Sequence, residues 1–188
     1  EIGKKIAEQL GIPFYDKELI EIAAKESGMD KELFEEDDAR TSKGFRLLGA
    51  LGYSLCGPLS TITELSLNDR LYLVQEEVIK GVANDGPCVI VGRCADYVLR
   101  DRKDVLNVYI HADMEDRKSR AVHSYEVDER DIEGSIKKID KRRANYYEYY
   151  TDRKWGRAEN YDISINSSTF GIDGTVEIIK LLAQKKAL

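Results

Sequence analysis

Short apolar runs alternate along the chain with longer segments of helical periodicity, and this alternation is typical of a parallel sheet covered by helices. Runs of this kind predict strands over 12–15, 88–91, 107–110 and 162–165. The middle two runs are apolar throughout or nearly so, as expected of strands that are buried on both faces. The pattern therefore predicts an α/β protein.

Apolar residues between these strands recur at spacings of three and four, which places them on one face of a helix. The chain opens on such a helix over 1–10, with no strand before it. Asp173 is expected to cap the amino end of the last helix. Three further helices are predicted through the sets Leu71, Val74, Val78 and Val82; Ile132, Ile136, Ile139, Arg143 and Tyr147; and Val176, Ile179 and Ala183.

Two segments interrupt the alternation. Residues 17–86 are too long for one crossover helix, and residues 114–157 are densely charged and carry no strand signal. Ligands of open α/β sheets bind at the carboxyl ends of the strands, where both segments begin. We therefore expect both segments to border a ligand site within a single domain that spans 1–188.

Charge and composition narrow the classes of function. The 29 basic and 35 acidic residues give a net charge of −6, which argues against a general nucleic-acid or anionic-membrane binder. No apolar stretch approaches the ~20 residues that span a bilayer, and no signal peptide is recognisable. Three cysteines without a C-x-x-C pair, and two histidines, predict no metal site. The expected location is the cytoplasm and the expected partners are small molecules, with no nucleic acid and no membrane.

One arginine closes a predicted buried strand. Arg93 follows Gly92 directly after the run over 88–91, and Asp96 comes three residues later. A side chain at this place is poorly positioned for simple solvation, whereas an arginine fork grips phosphate oxygens in pairs. Both a surface role and phosphate binding remain open for Arg93 at this stage.

Further arginines follow the next strand. Arg117 and Arg120 lie one helical turn apart, and Asp140 and Arg143 share a helix face, with Arg142 adjacent. Charge placed in this way suits phosphoryl transfer, which depends on neutralising the moving group. A charged helix face exposed to water is the alternative for each pair, and spacing alone does not decide between them.

Aromatic residues crowd the end of the same segment. Tyr146, Tyr147, Tyr149 and Tyr150 precede Trp155. Stacking on a nucleotide base is one interpretation of such a cluster. We favour helix packing beside a lid hinge.

Five motifs follow one another along nearly the whole chain. They are Ala-Glu-Gln-Leu-Gly-Ile-Pro-Phe-Tyr-Asp over 7–16, Val-Ile-Val-Gly-Arg over 89–93, the strand and charged helix start over 108–117, Asp-x-x-Arg over 140–143, and Tyr-Tyr-x-Tyr-Tyr-Thr to Asn-Tyr-Asp over 146–162. In this order they resemble the cytidylate-kinase-like family of P-loop nucleoside monophosphate kinases. The order is more specific than any one motif.

The resemblance implies a three-layer α/β/α P-loop kinase fold with a five-stranded parallel sheet. Its first strand and glycine loop would precede Glu1, because no G-x-x-x-x-G-K-[ST] occurs in the sequence. Residues 17–86 would form the acceptor-binding insertion and residues 114–157 the lid. The implied reaction is phosphoryl transfer from ATP, with Mg²⁺, to a nucleoside monophosphate, with CMP or dCMP preferred.

The matched motifs also imply roles for single residues. Arg70 and Arg93 would hold the acceptor phosphate, while Asp16 and Asp96 would orient its sugar or base. Glu1 would fall at or next to the Ser/Thr position of the glycine loop, and hence at the ATP site. The transferred group would be neutralised by four arginines that Asp140 helps to hold: Arg117, Arg120, Arg142 and Arg143.

Two departures from the family pattern bear on specificity. Cys94 stands where the family's Gly-Arg-Asp motif has its aspartate, and residues 17–20 replace a segment with an acceptor-phosphate arginine. Phosphoryl transfer is therefore better supported than cytosine specificity. Two other functions stay open: a P-loop kinase for another small-molecule acceptor, with Asp16 as base toward a hydroxyl, and a non-catalytic nucleotide-binding regulator of the same fold.

Overall fold

The computed structural model describes residues 1–16, 19, 66–125 and 131–186. These residues belong to two compact units, of which unit 1 comprises Glu1–Gly11 and Asp96–Leu188 and unit 2 comprises Ile12–Ala95. Most of the predicted acceptor-binding insertion, and residues 126–130 of the predicted lid, lie outside the described residues.

The described part of the chain is mixed α/β, with long helices and short strands. Its elements in chain order are α1 (Ile2–Leu10), β1 (Phe14–Tyr15), α2 (Leu67–Asp85), β2 (Val89–Ile90), α3 (Ala95–Val98), β3 (Val108–His111), α4 (Met114–Tyr125), α5 (Ile132–Thr151), a 3₁₀ turn (Ala158–Asn160), β4 (Ile163–Asn166) and α6 (Ser167–Lys186). All four predicted strands are confirmed, and the first two are shorter than predicted. None of the helices in this part is long and apolar enough to cross a lipid bilayer.

Unit 1 is built on a parallel strand pair. β3 and β4 run side by side from Val108 opposite Ile163 to His111 opposite Asn166. Helix α6 packs on both strands, and α1 packs on α6. Because parallel strands end at the same edge, the chain leaves β3 toward α4 and β4 toward α6 at one place.

Helix α1 forms because its apolar residues share one face and a glycine ends it. Ile2 and Ile6, one turn apart, are each 6% exposed, and Val176 and Ile179 are buried on α6. Burying one such side chain stabilises the fold by about 1.5–3 kcal/mol. Gly11 has φ +64° and donates its N–H to carbonyls of the last turn of α1, a left-handed cap that favours glycine.

Helices α4 and α5 pack against each other and are joined by ion pairs at two levels. Glu133, near the start of α5, lies 2.9 Å from Lys118 of α4 and 2.7 Å from Lys137 of its own helix. The hydrogen bonds to Lys137 and Lys118 hold the pKa of Glu133 at about 2. The second level is the contact between Arg117 and Asp140. Arg117 and Lys118 are adjacent on α4, so the two contacts hold α5, at positions seven residues apart, to the start of α4.

Helix α6 is kinked near its start. Gly171 has φ +66° inside the helix, so a short turn from Ser167 precedes the long straight part. Asp173, which was predicted to cap the last helix, lies in the first turn after the kink, and its carboxylate accepts a hydrogen bond from Lys5 Nζ at 2.7 Å.

Unit 2 contains the second parallel pair. Phe14 of β1 lies opposite Val89 of β2. Ser66 caps α2 by accepting a hydrogen bond from the amide of Asp69 at 3.2 Å. The apolar face predicted for α2 is buried in part: Leu71, Val78 and Val82 are each less than one-tenth exposed, as is Ile79 beside them.

Gly156 permits a close approach in unit 1. Its φ is +74°, and a Cβ atom on it would lie 2.8 Å from Tyr109 Oη. We expect Gly156→Ala to lower the free energy of unfolding by about 2–4 kcal/mol, from backbone strain and overpacking together. Gly11→Ala is the matched control, since its φ is +64° and nothing lies within 4 Å. It should cost only about 1–2 kcal/mol. Equal losses in urea unfolding would show that the contact with Tyr109 contributes nothing.

Candidate functional site

Unit 1 carries a cavity of about 520 Å³ at the edge where β3 and β4 end. Its walls come from the start of α1, the residues after β3, the first turns of α4 and the kinked start of α6. The residues that line it are Glu1, Ala112, Asp116, Arg117, Ser119, Arg120, Ser167, Ser168, Gly171 and Ile172. Ligands of parallel sheets bind outside the carboxyl ends of the strands, so this is the expected place for a site.

Hydrogen bonds between the two strand exits fix the floor of this cavity. The amide of Asp113 donates to Ser168 Oγ at 2.8 Å, and Asn166 Nδ2 donates to Asp113 Oδ1 at 3.1 Å. Ser167 Oγ donates to the carbonyl of His111 at 3.1 Å. These bonds continue the pairing of the strands beyond their last residues. The hydroxyl-bearing residues of the floor are therefore held in place before any ligand arrives.

Arg117 meets Asp140 in a two-point contact between α4 and α5. Arg117 Nη1 lies 2.7 Å from Asp140 Oδ2, and Nη2 lies 2.8 Å from Oδ1. The two side chains are 31% and 26% exposed, so the pair is partly withdrawn from water. A fork of this kind fixes the plane of the guanidinium as well as its position. Arg117 is thus a preoriented charge in the wall of the cavity.

Arg120 lines the same cavity one turn farther along α4, and its guanidinium forms an ion pair with the carboxylate of Glu1. The pair brings Glu1, the residue that precedes α1, to the arginine face of α4. Of the four arginines predicted to neutralise a moving phosphoryl group, the structure places Arg117 and Arg120 in this cavity. Arg142 and Arg143 are exposed on α5 and are not among the residues that line it.

An aromatic group adjoins the arginines. The ring of Tyr109, on β3, lies 5.5 Å from Trp155, edge to face, and 5.1 Å from Tyr161. Burial raises the pKa of Tyr109, and the charge of Asp140 raises it further, while Arg117 and Arg143 oppose the shift. The phenol therefore stays neutral beside the ion pair. Tyr109 was not predicted as a site residue, because one tyrosine in an apolar strand carries no distinguishing pattern.

The carboxylate of Asp96 has a partner within unit 1. Tyr147 Oη donates to Asp96 Oδ2 at 2.6 Å, and Tyr147 is only 5% exposed. Burial, followed by this hydrogen bond, raises the pKa of Tyr147. Thr151, one turn on, donates its hydroxyl to the carbonyl of Tyr147 at 2.6 Å. The preference for helix packing over base stacking is confirmed for Tyr147, which is buried.

The remaining predicted residues belong to unit 2. Asp16 is exposed just after β1, and Arg70 is half-buried on α2. Arg93 is half-buried directly after β2, within a turn in which Gly92, Arg93 and Cys94 have φ of +77°, +55° and +57°. A left-handed backbone costs a non-glycine residue roughly 1–2 kcal/mol. Two such residues in succession therefore lower the stability of this turn, and backbone strain of this kind is found most often at functional sites.

The acidic residues at the cavity suit a metal ion that is shared with a nucleotide's phosphates better than a metal ion held by protein side chains alone. Among the described residues, no three histidine, cysteine or acidic side chains are grouped as metal ligands. Mg²⁺ in phosphoryl-transfer sites is usually held by one or two carboxylates together with phosphate oxygens and water. Glu1 and Asp116 are the acidic residues that line the cavity, and they can supply that share.

Comparison with known proteins identifies a matching family and a similar solved structure. The model of the cytidylate kinase-like family matches residues 1–169, which include every predicted site residue. The crystal structure of an uncharacterised protein from Eubacterium ventriosum superposes with a TM-score of 0.68 at 25% sequence identity, covering 98% of this chain and 90% of that one. No curated protein sequence matches the chain.

Proposed function

The chain belongs to the cytidylate kinase-like family, and on this premise we propose that it transfers the γ-phosphoryl group of ATP to a nucleoside monophosphate, with CMP or dCMP preferred. The observation that carries the proposal is the cavity of unit 1, with Arg117 and Arg120 in its wall at the ends of two parallel strands. Arginines at this place suit a polyphosphate, because each guanidinium binds phosphate oxygens in pairs.

The proposed fold is a three-layer α/β/α P-loop kinase domain over 1–188, in which the four described strands belong to one five-stranded parallel sheet. The parallel pairing within each unit supports it. Residues 17–86 would bind the acceptor and residues 114–157 would form the lid. Because Tyr147 and Thr151 are buried in unit 1, we confine the moving part of the lid to the residues before Tyr147.

The donor nucleotide is assigned to the cavity. Arg117 and Arg120 would bind its phosphates, and the hydroxyl of Ser168, whose oxygen accepts from the amide of Asp113, would donate a hydrogen bond from the floor. Glu1 now neutralises Arg120, so the incoming phosphate would take over this arginine and release the carboxylate. When bound, Mg²⁺ would supply charge neutralisation between the β- and γ-phosphates, and Glu1 is the residue assigned to it.

The transfer itself needs placement and charge rather than a base. An oxygen of the acceptor phosphate forms a bond to the γ-phosphorus while the bond to the β–γ bridging oxygen breaks, which leaves ADP and a nucleoside diphosphate. The attacking oxygen is already anionic, so no proton has to be removed first. Arg117, held by Asp140, would stabilise the charge that spreads over the moving group, with Arg120, Arg142 and Arg143 contributing from α4 and α5.

The acceptor is assigned to unit 2 and to Asp96. Arg93 and Arg70 would hold its phosphate, and Asp16 would orient the sugar or base. The left-handed backbone of Arg93 supports its role, since strain of this kind concentrates at functional sites. Asp96 keeps one carboxylate oxygen for the acceptor, because the hydrogen bond from Tyr147 uses Oδ2 alone.

One observation favours a different acceptor. Cys94 occupies the place of the family aspartate and is only 4% exposed, so its thiol offers a base little to bind. A kinase of the same fold for another small molecule is therefore the second candidate. For that reaction Asp16, which is exposed, would serve as the base toward a hydroxyl.

Release of ADP by the purified full-length protein tests the proposal. With Mg²⁺ and ATP, CMP or dCMP should give kcat/KM at least about tenfold above UMP, AMP and GMP, the scale of one well-placed polar contact. Mixtures without acceptor give the background hydrolysis. If the protein binds ATP but releases no ADP in the presence of any of these monophosphates, the result would contradict the proposal and favour a non-catalytic regulator. Release with a hydroxyl acceptor alone would favour the second candidate.

A further inference from the structure

Helix α5 carries three functional groups on one face. Asp140 and Arg143 precede Tyr147 by seven and four residues, so the three lie within about 60° of one another around the helix axis. Asp140 meets Arg117 of the cavity wall. Whatever fixes the rotation of α5 about its axis therefore also fixes the partner of Arg117.

We propose that Tyr147 is the positioning residue that fixes this rotation, through its hydrogen bond to Asp96. The bond is short, 2.6 Å, and it ties α5 to the start of α3, a part of unit 1 distant in sequence. Tyr147 is 5% exposed and Asp96 half-buried, so water competes little for either group. The inference rests on the proposed phosphotransferase function and deepens it.

Geometry shows why a single hydroxyl matters here. Packing of an aromatic ring keeps a helix close to its neighbours, but it tolerates small rotations. Side-chain groups lie about 5–6 Å from a helix axis, so a rotation of about 20° displaces them by about 2 Å. The two-point contact of Arg117 with Asp140, at 2.7 and 2.8 Å, does not survive such a displacement. A directional bond to a carboxylate resists the rotation that ring packing allows.

Tyr147→Phe tests the proposal, because it removes the hydroxyl and keeps the ring. We expect turnover to fall about 5- to 30-fold while KM for ATP and for the acceptor changes less than twofold, the pattern of a lost transition-state contact. Tyr149→Phe is the matched control, since Tyr149 is on the same helix and 71% exposed. It should behave as wild type. A Tyr147→Phe protein with unchanged turnover, or with raised KM alone, would overturn the proposal.

A second measurement does not depend on activity. If Tyr147 positions Asp140, then Tyr147→Phe and Asp140→Asn should be coupled in urea unfolding. Their combined effect on the unfolding equilibrium constant should differ more than about threefold from the product of the single effects, whereas separated, independent residues combine within about twofold. Independent effects would refute positioning even in an active enzyme. Absence of ADP release from the wild type would instead refute the proposed function, and the coupling would still decide the role of Tyr147.

Discussion

Arg117→Met is expected to lower turnover by about 10³-fold and to weaken ATP binding far less, the scale that arginines reach in phosphoryl transfer. Methionine keeps an unbranched stem of four heavy atoms and removes the guanidinium. Arg117 lines the cavity and is already oriented by two contacts with Asp140. A charge fixed before the reaction stabilises the transition state without reorganisation, so its loss appears mainly in kcat.

Two further variants sharpen this result. Arg117→Lys keeps the charge but not the fork, and it should recover no more than about tenfold of the lost turnover. Arg157→Met is the matched control, because Arg157 is an exposed arginine of unit 1 that pairs with Glu159 at 3.3 Å. It should leave kcat and KM unchanged. Steady-state ADP release measures all three, and an Arg117→Met enzyme within threefold of wild-type turnover would exclude Arg117 from the transfer step.

Arg93→Ala is expected to raise KM for the acceptor about 30- to 100-fold while KM for ATP stays within twofold. The loss corresponds to about 2–3 kcal/mol, the contribution of a charge-assisted hydrogen-bonded pair. The reason is the division of labour proposed above, in which Arg93 holds the acceptor phosphate and the cavity of unit 1 holds ATP. Initial-rate measurements with each substrate varied in turn separate the two constants.

Arg93→Gly separates the side chain from its backbone. Both variants lose the guanidinium, but glycine adopts the φ of +55° without the strain that alanine keeps. The glycine variant should therefore show the same kinetic defect. Its free energy of unfolding should be about 1 kcal/mol higher than that of the alanine variant. If Arg93→Gly bound the acceptor as wild type does, the guanidinium would have no role. Equal losses of ATP and acceptor affinity would also contradict the assignment.

Strands and helices were predicted correctly where the spacing of apolar residues determines them. The four strands and the helices through 1–10, 71–82 and 132–147 are all present, because burial of an apolar face requires that spacing. The sequence also placed Arg117 and Arg120 directly after β3, and the residues after a parallel strand line a cavity at its carboxyl end. Local pattern and chain order are sufficient for inferences of this kind.

Other features depend on contacts between distant residues, and local pattern does not encode them. Asp96 and Tyr147 are 51 positions apart, and although each was singled out by its own neighbours, nothing in the local pattern links the two. The left-handed φ of Arg93 is equally hidden, since only the preceding Gly92 hints at a turn. The cap predicted at Asp173 was misplaced because the helix is kinked at Gly171. A glycine near a helix start is compatible with a helix that begins before it or after it.

The edge-to-face packing of Trp155 on Tyr109 has an optical consequence. Trp155 is the sole tryptophan among the 188 residues, so all indole fluorescence of these residues arises at this one contact. Its ring lies 5.5 Å from Tyr109, whose phenol experiences the charges of Asp140, Arg117 and Arg143. Indole emission shifts with nearby charge and polarity, and tyrosines this close pass their excitation to it. The unlabelled protein therefore contains a spectroscopic probe beside its arginine cluster.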